Sequence, residues 1–291
     1  MGTETLRARI VILNYNGQDL LPQCLPSIVE AARKAECPTG VTILDNLSTD
    51  DGLDYVRKNY PEVELWTSPA NKLLCSYNDY LTVMQEPVAI LLNNDIRVDK
   101  GFVDPLIERF RQDSKTFLVA PKVMSFDGAE IQAARSKAGM RWGMFWCDAR
   151  YPGYDKEADQ ASETYSSGFG AFSRKIFLEL GGYDERYLPG ILEDVDLCHR
   201  ARRAGYRLYY EPKSVVYHLG QVSFKRRFGA GEVAVLAYRN TFLFMWKNFR
   251  EFAFWTAHLV FLPPRILFSL LRGNVAFVRG FWQALWFKGE R

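Results

Sequence analysis

Apolar residues recur along the first part of the chain in two alternating rhythms. Residues 10–13 form a short β-rich run ended by the polar turn Asn14-Tyr15-Asn16-Gly17, and residues 20–35 then carry apolar side chains at helical spacing. Residues 41–44 repeat the strand and end in Asp45-Asn46-Leu47-Ser48-Thr49-Asp50, where Ser48, with Asp51 three residues on, reads as a helix N-cap. Runs at 63–67 and 88–92 follow the strand pattern, and helical patterns occupy 76–84 and 102–112. Uninterrupted apolar strands alternating with helices predict an α/β fold with a mostly parallel sheet covered on both faces.

In such sheets ligands bind at the carboxyl ends of the strands. Here those ends carry Asn14 and Asn16, Asp45 and Asn46, then Asn93, Asn94 and Asp95. Asp95, delivered off the end of a buried strand, is where a hard divalent cation bridging two phosphates needs an oxygen ligand. Turn and cap roles account for most Asn and Asp in any α/β chain, and Ser48 and Asp51 are read that way. Residues 125–165 break the rhythm with an aromatic stretch (Trp142, Phe145, Trp146, Tyr151, Tyr154), read as the wall of an acceptor pocket.

The C-terminal part has a different character. Residues 252–271, FAFWTAHLVFLPPRILFSLL, approach the length of a membrane span but contain Pro263-Pro264 and Arg265, so interfacial helices are expected rather than one straight spanning helix. Arg272, Arg279 and Lys288 are spaced among Phe277, Phe281, Trp282 and Trp286, as in a helix lying on a bilayer with its basic residues towards the head groups. The alternative is a helical hairpin packed on the catalytic domain or on a second subunit, as in a homo-oligomer.

Composition and charge sharpen that contrast. The chain has 291 residues, 48% hydrophobic and 24% charged, enough for one large α/β domain plus an appendage, or for two small domains. Residues 219–291 hold eleven Lys/Arg against three Glu and no Asp, a net of +8, which leaves −5 for residues 1–218. Four of the seven tryptophans lie in the basic part. Basic and aromatic together, this end points to an anionic membrane surface and not to nucleic acid. Five scattered cysteines without CxxC spacing argue against a disulfide scaffold or a structural zinc site and fit a reducing cytoplasm. The opening MGTETLRARIVIL reads as a short tail feeding a strand rather than as a signal peptide. The expected location is therefore cytoplasmic, peripheral on the inner face of the cell membrane.

Residues 166–223 carry the densest chemistry. Gly181-Gly182-Tyr183-Asp184-Glu185 is followed by Glu193-Asp194-Val195-Asp196-Leu197, a basic helix, and then His218. This segment resembles the acceptor-side signature of inverting family 2 glycosyltransferases, and VILNYNG, LDNLSTD and residues 71–78 resemble the strand-end motifs of the same family. Likeness spans about residues 8–224. It implies a GT-A, Rossmann-like catalytic domain over 1–224, with a nucleotide-sugar half over about 8–122 and an acceptor half over 123–224, followed by a helical extension over 225–291.

Carried over by position, the resemblance implies Asn14 and Asp45 at the nucleotide base and ribose, Asn71 and Asn78 lining the donor pocket, and Asn93 and Asn94 near ribose or sugar. Asp95 and His218 are implied as ligands of Mn²⁺ or Mg²⁺. The acidic metal motif of the family reads Asn93-Asn94-Asp95 here, as in its rhamnosyltransferase-like branch, so dTDP-rhamnose or a UDP-sugar is the implied donor. Inversion needs a base near the acceptor hydroxyl, on the face opposite the leaving diphosphate, and Asp194 is the candidate, with Glu193 holding the acceptor or serving as the alternative base. Asp196 and the arginines after it are read as helix-surface pairs.

Two departures matter. The family usually has Gly two residues after the position of Asn71, where this chain has Leu73, and Lys72 beside it is a further candidate phosphate contact. Leu73 and Asn93 are what a non-catalytic scaffold or glycan-binding protein with a degenerate transferase fold would also show; Asp95, Asp194 and His218 argue for the enzyme. A nucleotidyltransferase would need a Gly-rich Lys/Arg phosphate loop near the first strand, which this chain lacks. A lipid-linked glycan precursor as acceptor would account for the basic aromatic tail.

Overall fold

The computed structural model describes residues 6–220 and 228–287. The expected domain boundary at 224/225 and the terminal Lys288 lie outside them. Four parallel strands form one half of the sheet: β1 (Ala8–Asn14), β2 (Thr39–Asp45), β3 (Glu64–Thr67) and β4 (Val88–Asn93). The other half is built from β5 (Ile96–Val98), β6 (Thr116–Ser125), β7 (Ile131–Ala133), β10 (Ser162–Glu163), β11 (Gly170–Ser173) and β12 (Arg207–His218). Strand order is β10-β12-β6-β11-β4-β1-β2-β3, with β5 on β12 and β7 on β6. β11 runs antiparallel between β4 and β6 and so joins the two halves. A separate hairpin, β8 (Lys137–Arg141) with β9 (Met144–Asp148), occupies the aromatic stretch.

The apolar runs are buried on both faces, as their lack of alternation requires. Ile10, Ile12, Ile90 and Leu92 point to a layer that contains Leu25 and Ile28 of α1 (Leu21–Lys34) and Leu106 of α4 (Val103–Gln112). The intervening Val11, Ala89 and Leu91 point to the opposite layer, with Tyr77 and Leu81 of α3 (Ser76–Val83), Phe177 of α5 (Arg174–Glu179) and Leu197 of α6 (Glu193–Arg203). Between β2 and β3 lies α2 (Gly52–Asn59). Its first turn follows Asp51, and Ser48 caps nothing: the expected cap has another task, described below.

Three helices complete the described chain: α7 (Ala230–Asn248), α8 (Phe252–Leu271) and α9 (Val275–Leu285). They are not a detached appendage. Phe242, Phe244 and Met245 of α7, Phe254 of α8 and Phe277 of α9 share a core with Phe145 of β9, Val195 of α6 and Tyr187. Trp142 and Phe145, expected in an acceptor wall, instead pack on Phe261 and Phe244 at ring distances of 5.1 and 4.5 Å.

The expectation that Pro263-Pro264 interrupts the 252–271 segment is corrected, because α8 runs unbroken for 20 residues. The carbonyls that the two prolines leave without helical partners belong to Leu259 and Val260, which are 64% and 60% exposed, so the lost bonds fall on the open face of the helix. With a mean hydropathy of 1.4, α8 is long and apolar enough to cross a membrane. Only Phe254, His258 and Ser269 of it are buried.

Candidate functional site

Register brings the strand ends together. β1 pairs with β2 so that Asn14 faces Asp45, and with β4 so that Leu13 faces Asn93. Asn14 is fully buried. Its Nδ2 donates to Asp45 Oδ1 (3.0 Å) and to Ser48 Oγ (3.1 Å), while its Oδ1 accepts from Asn94 Nδ2 (2.8 Å). Ser48 donates its hydroxyl to Asp45 Oδ1 (2.5 Å) and accepts from the Asn16 N–H (2.9 Å). Thus Ser48 braces the strand-end loops against each other. Of the six residues expected at the donor, Asn14, Asp45 and Asn94 form one hydrogen-bonded cluster, with Asn93 beside it at the end of β4.

Gly17 makes this cluster possible: a Cβ there would sit 2.1 Å from Asn14 Oδ1 and 2.8 Å from Asn94 Nδ2. No real Cβ tolerates that approach, so Gly17→Ala must push the Asn14–Asn94 pair apart. We expect this substitution to weaken UDP or dTDP binding at least tenfold in calorimetric titration, with loss of about 1–3 kcal/mol in urea unfolding.

The wall beyond carries the departure at Leu73. Its φ is +53°, the left-handed region that favours glycine, so the backbone keeps a glycine-like conformation although the side chain is Leu. The Leu73 N–H donates to Asn71 Oδ1 (3.2 Å), and its carbonyl accepts from Asn46 Nδ2 (3.2 Å). Asn46 Oδ1 is buried without a partner. Asn78 is committed elsewhere: its Nδ2 donates to the Tyr183 carbonyl and its Oδ1 accepts from the Tyr183 N–H, both at 2.8 Å. It ties α3 to the Gly181-Gly182-Tyr183 turn. Lys72 makes a similar link, pairing with Glu185 at 3.0 Å.

Asp95 follows β4, and His218 ends β12, where it pairs in register with Ile96. His218 Nε2 lies 3.3 Å from Asp95 Oδ2, and Asp95 Oδ1 is buried with no partner. A hard oxygen left unsatisfied beside an imidazole suits Mn²⁺ or Mg²⁺. Among the described residues no group of three His, Cys, Asp or Glu side chains is placed to hold a metal; a cation at this pair would have two protein ligands. A donor diphosphate and water would supply the others.

Glu193 and Asp194 open α6 after a strained loop in which Gly190 (φ +142°), Ile191 and Leu192 (both +77°) all have positive φ. A β-branched Ile in that region persists only where its surroundings over-determine it. The restraint comes from α7: Asn240 Nδ2 donates to the carbonyls of Tyr187 (2.9 Å), Gly190 (2.8 Å) and Ile191 (2.7 Å). Asp196 adds a second lock. It is fully buried, so its expected surface pairing is corrected; it is held by Arg200, Lys247, Asn248 and the Tyr187 hydroxyl at 2.8–2.9 Å. The face of α6 on which it sits is covered by α7. Arg200 turns towards the Leu180 and Gly182 carbonyls and Arg202 towards the Thr164 carbonyl.

Electrostatics divides the acidic pair. Burial, and then the charge of Asp194, push the Glu193 carboxyl up to about 8, and Glu193 Oε2 is buried without a partner. Burial raises Asp194 as well, opposed by the N–H groups of Asp194 and Val195 at the helix start. Both carboxyls are pushed towards the neutral form, Glu193 additionally by the Asp194 charge, so Glu193 is able to donate. Asp194 Oδ2 faces Gly168, where a Cβ would approach to 3.3 Å.

Sequence reasoning missed Asn240, Lys247 and Asn248. They lie 40 or more residues beyond the acidic pair and belong to none of the local motifs. The available signal was their polarity within a mostly apolar helix.

A family model described as Glycosyl transferase family 2 matches residues 9–181. The N-acetylglucosaminyl-diphospho-decaprenol L-rhamnosyltransferase of Mycobacterium tuberculosis is 27% identical over 235 residues, covering 72% of this chain and 75% of its own. The pre-mycofactocin glycosyltransferase of the same organism is 29% identical over 155 residues, 51% of this chain and 31% of its own. Among solved structures, the mannosyltransferase PcManGT from Pyrobaculum calidifontis, in complex with GDP-Man and Mn²⁺, superposes with a TM-score of 0.62 at 14% identity, over 98% of this chain and 89% of that one. GalNAc-T7 with UDP, GalNAc and Mn²⁺ gives 0.59 at 17% identity. This chain covers 75% of itself and 44% of GalNAc-T7 in that match. The fold shared with both is GT-A.

Proposed function

Since the chain belongs to glycosyl transferase family 2 and is a glycosyltransferase, we propose that it is a metal-dependent inverting enzyme that moves a sugar, rhamnose or the sugar of a UDP donor, to a hydroxyl of a lipid-linked glycan precursor at the cytoplasmic face of the membrane. The observation that carries this reading is the convergence of three groups on one sheet edge. These are the Asn14–Asp45–Asn94 cluster, the Asp95–His218 pair and the Glu193–Asp194 helix start.

Asp194 accepts the proton of the acceptor hydroxyl as that oxygen attacks the anomeric carbon; the bond from that carbon to the diphosphate oxygen breaks, and the nucleoside diphosphate leaves. Protonated Glu193 orients the acceptor by donating to it. Asp45 and Asn14 hold the nucleoside end. A divalent cation held by Asp95 and His218 would neutralise charge on the leaving diphosphate. The donor branch is supported by the rhamnosyltransferase relative, whose name gives N-acetylglucosaminyl-diphospho-decaprenol as its acceptor.

Nucleotide release measured with Mn²⁺ across UDP-, dTDP- and GDP-sugars tests the reading. Release is expected with dTDP-rhamnose or a UDP-sugar, and it should fall at least 100-fold in Asp95→Ala or on adding EDTA, as expected for loss of charge stabilisation at the leaving group. Release with no donor, or release indifferent to EDTA, would overturn it.

Membrane association is supported by the open face of α8, where Leu259, Val260, Leu267, Phe268, Leu270 and Leu271 are exposed. Because α7–α9 share a core with the acceptor half, truncation would also damage the fold. Phe268→Glu with Leu271→Glu is the cleaner test: it should cut sedimentation with phosphatidylglycerol vesicles at least tenfold while nucleotide release in solution persists.

A further inference from the structure

The loop that leads into the acidic pair also forms one wall of an open groove of about 730 Å³, lined on its other sides by α7 and the end of α9. Pro189, four residues before Glu193, lies on one side; Leu236 and Arg239 of α7 and Trp286 and Phe287 lie on the others. Its lining is mixed, with Glu232, Gln283 and Arg239 among the apolar side chains. Arg239 reaches the Leu188 carbonyl with Nη2 (2.5 Å) and Asn240 Oδ1 with Nε (2.8 Å), and its guanidinium lies 5.8 Å from the Phe287 ring.

The Leu188 carbonyl and Asn240 Oδ1 are both neutral acceptors. Among the described residues no carboxylate pairs with it, and the acid in the same lining, Glu232, is taken by Arg279 at 2.7 Å. Burial depresses the Arg239 guanidinium, as it would a cation removed from water without a counter-ion. A half-buried arginine with no carboxylate partner among the described residues, beside Leu236, Trp286 and Phe287, fits a ligand that has a phosphate at one end and a hydrocarbon at the other. The groove is continuous with the exposed apolar surface of Trp282, Leu285 and Trp286, from which such a ligand would enter.

We infer that this groove binds the lipid-diphosphate end of the acceptor, with the diphosphate on Arg239 and the first isoprenoid units along Leu236, Trp286 and Phe287. The inference rests on the reading of a lipid-linked acceptor given above, and it adds the site. A diphosphate anchored at Arg239 places the attached sugar towards the loop that ends in Glu193-Asp194. The strained loop would then be both the acceptor's floor and the mount of the base. Arg239 is a binding residue here; its neighbour Asn240 positions the loop.

The test uses the full chain in EDTA with saturating UDP, so that neither the metal pair nor the donor site competes for the probe. Calorimetric titration with farnesyl diphosphate should show binding at least tenfold tighter than inorganic pyrophosphate or farnesol. Arg239→Gln should weaken it at least tenfold and Arg239→Lys less than threefold, with unchanged UDP affinity as the control for folding. Trp286→Ala, at a 72% exposed position, should weaken farnesyl diphosphate but not pyrophosphate. Equal affinity of Arg239→Gln and wild type, or complete displacement of the probe by phosphatidylglycerol vesicles at matched phosphate, would overturn the proposal, the latter by making the groove a headgroup site. Asp194→Asn should bind the probe as wild type does, so a failed groove and a failed catalytic reading give different results.

Discussion

Asp194→Asn is expected to lower sugar transfer by about 10²–10⁴-fold, the range for losing a positioned general base, with little change in donor KM. Its effect on pH dependence is the more specific readout. With Asp194 as base, kcat/KM in wild type rises with pH along an acid limb lying above the ordinary Asp value of 3.8, because burial raises that carboxyl. The limb should vanish in Asp194→Asn. The like charge that helps hold the Glu193 carboxyl at about 8 is also removed, so Glu193 titrates lower in that variant.

The pair also leaves a signature in stability. A carboxyl at about 8 in the native protein, against 4.5 for the free group, binds a proton that the unfolded chain has released. Stability therefore falls as pH rises through that interval. Glu193→Gln removes the penalty and should raise Tm at pH 8 relative to wild type, while the two proteins converge near pH 4.5. Coincident melting curves at pH 8 would show that Glu193 is not the strained member of the pair, and undiminished transfer in Asp194→Asn would exclude it as the base.

The largest loss of stability is expected from Asp196→Ala. Burial alone would raise the Asp196 carboxyl, but the charges of Arg200 and Lys247 and the hydrogen bonds of Lys247 and Asn248 outweigh it and hold it below its ordinary value. Removing it leaves Arg200 with carbonyl partners alone and Lys247 with Asp184 as its one carboxylate, which costs about 3–5 kcal/mol for a buried pair that loses one partner. At about 2 °C per kcal/mol for a chain of this size, Tm should drop by roughly 6–10 °C. The sign of the pH effect is opposite to that of Glu193: the Asp196 contribution is fully present above pH 3.8 and is lost as pH falls through its depressed native value.

Activity should fall with stability in this variant, because Lys247 and Asn248 dock α7 on α6 and Asn240, on the same helix, holds the loop before Glu193. Tm unchanged within 2 °C in Asp196→Ala would refute this account of the C-terminal helices.

The parallel half of the sheet was legible because each of its strands is buried on both faces and must read as a continuous apolar run, followed by a helix. Asn14, Asp45, Asn93 and Asp95 were legible for the same reason: parallel strands in register deliver their last residues to one edge. The antiparallel insertion of β11, only four residues long, carries no such signal. Its place between β4 and β6 is set by pairing with residues some 50–80 positions away. Ser48 was misplaced because capping and loop bracing use the same hydroxyl, and only the distance to Asp45 and Asn14 separates them. Asp196 was misplaced because a charge in a basic helix looks solvated until another helix is known to cover it.

Local order along the chain was enough to determine the α/β alternation, the residues at the strand ends, the acidic pair at a helix start and the basic aromatic character of the C-terminal part. Those follow from short-range periodicity, turn chemistry and residue type. Only the tertiary structure decided that Asp196 is buried under α7, that Asn78 and Lys72 tie to Tyr183 and Glu185, and that α7 secures the loop carrying the acidic pair. Each of these is a contact between distant segments, decided by which faces are left to bury once the local elements have formed.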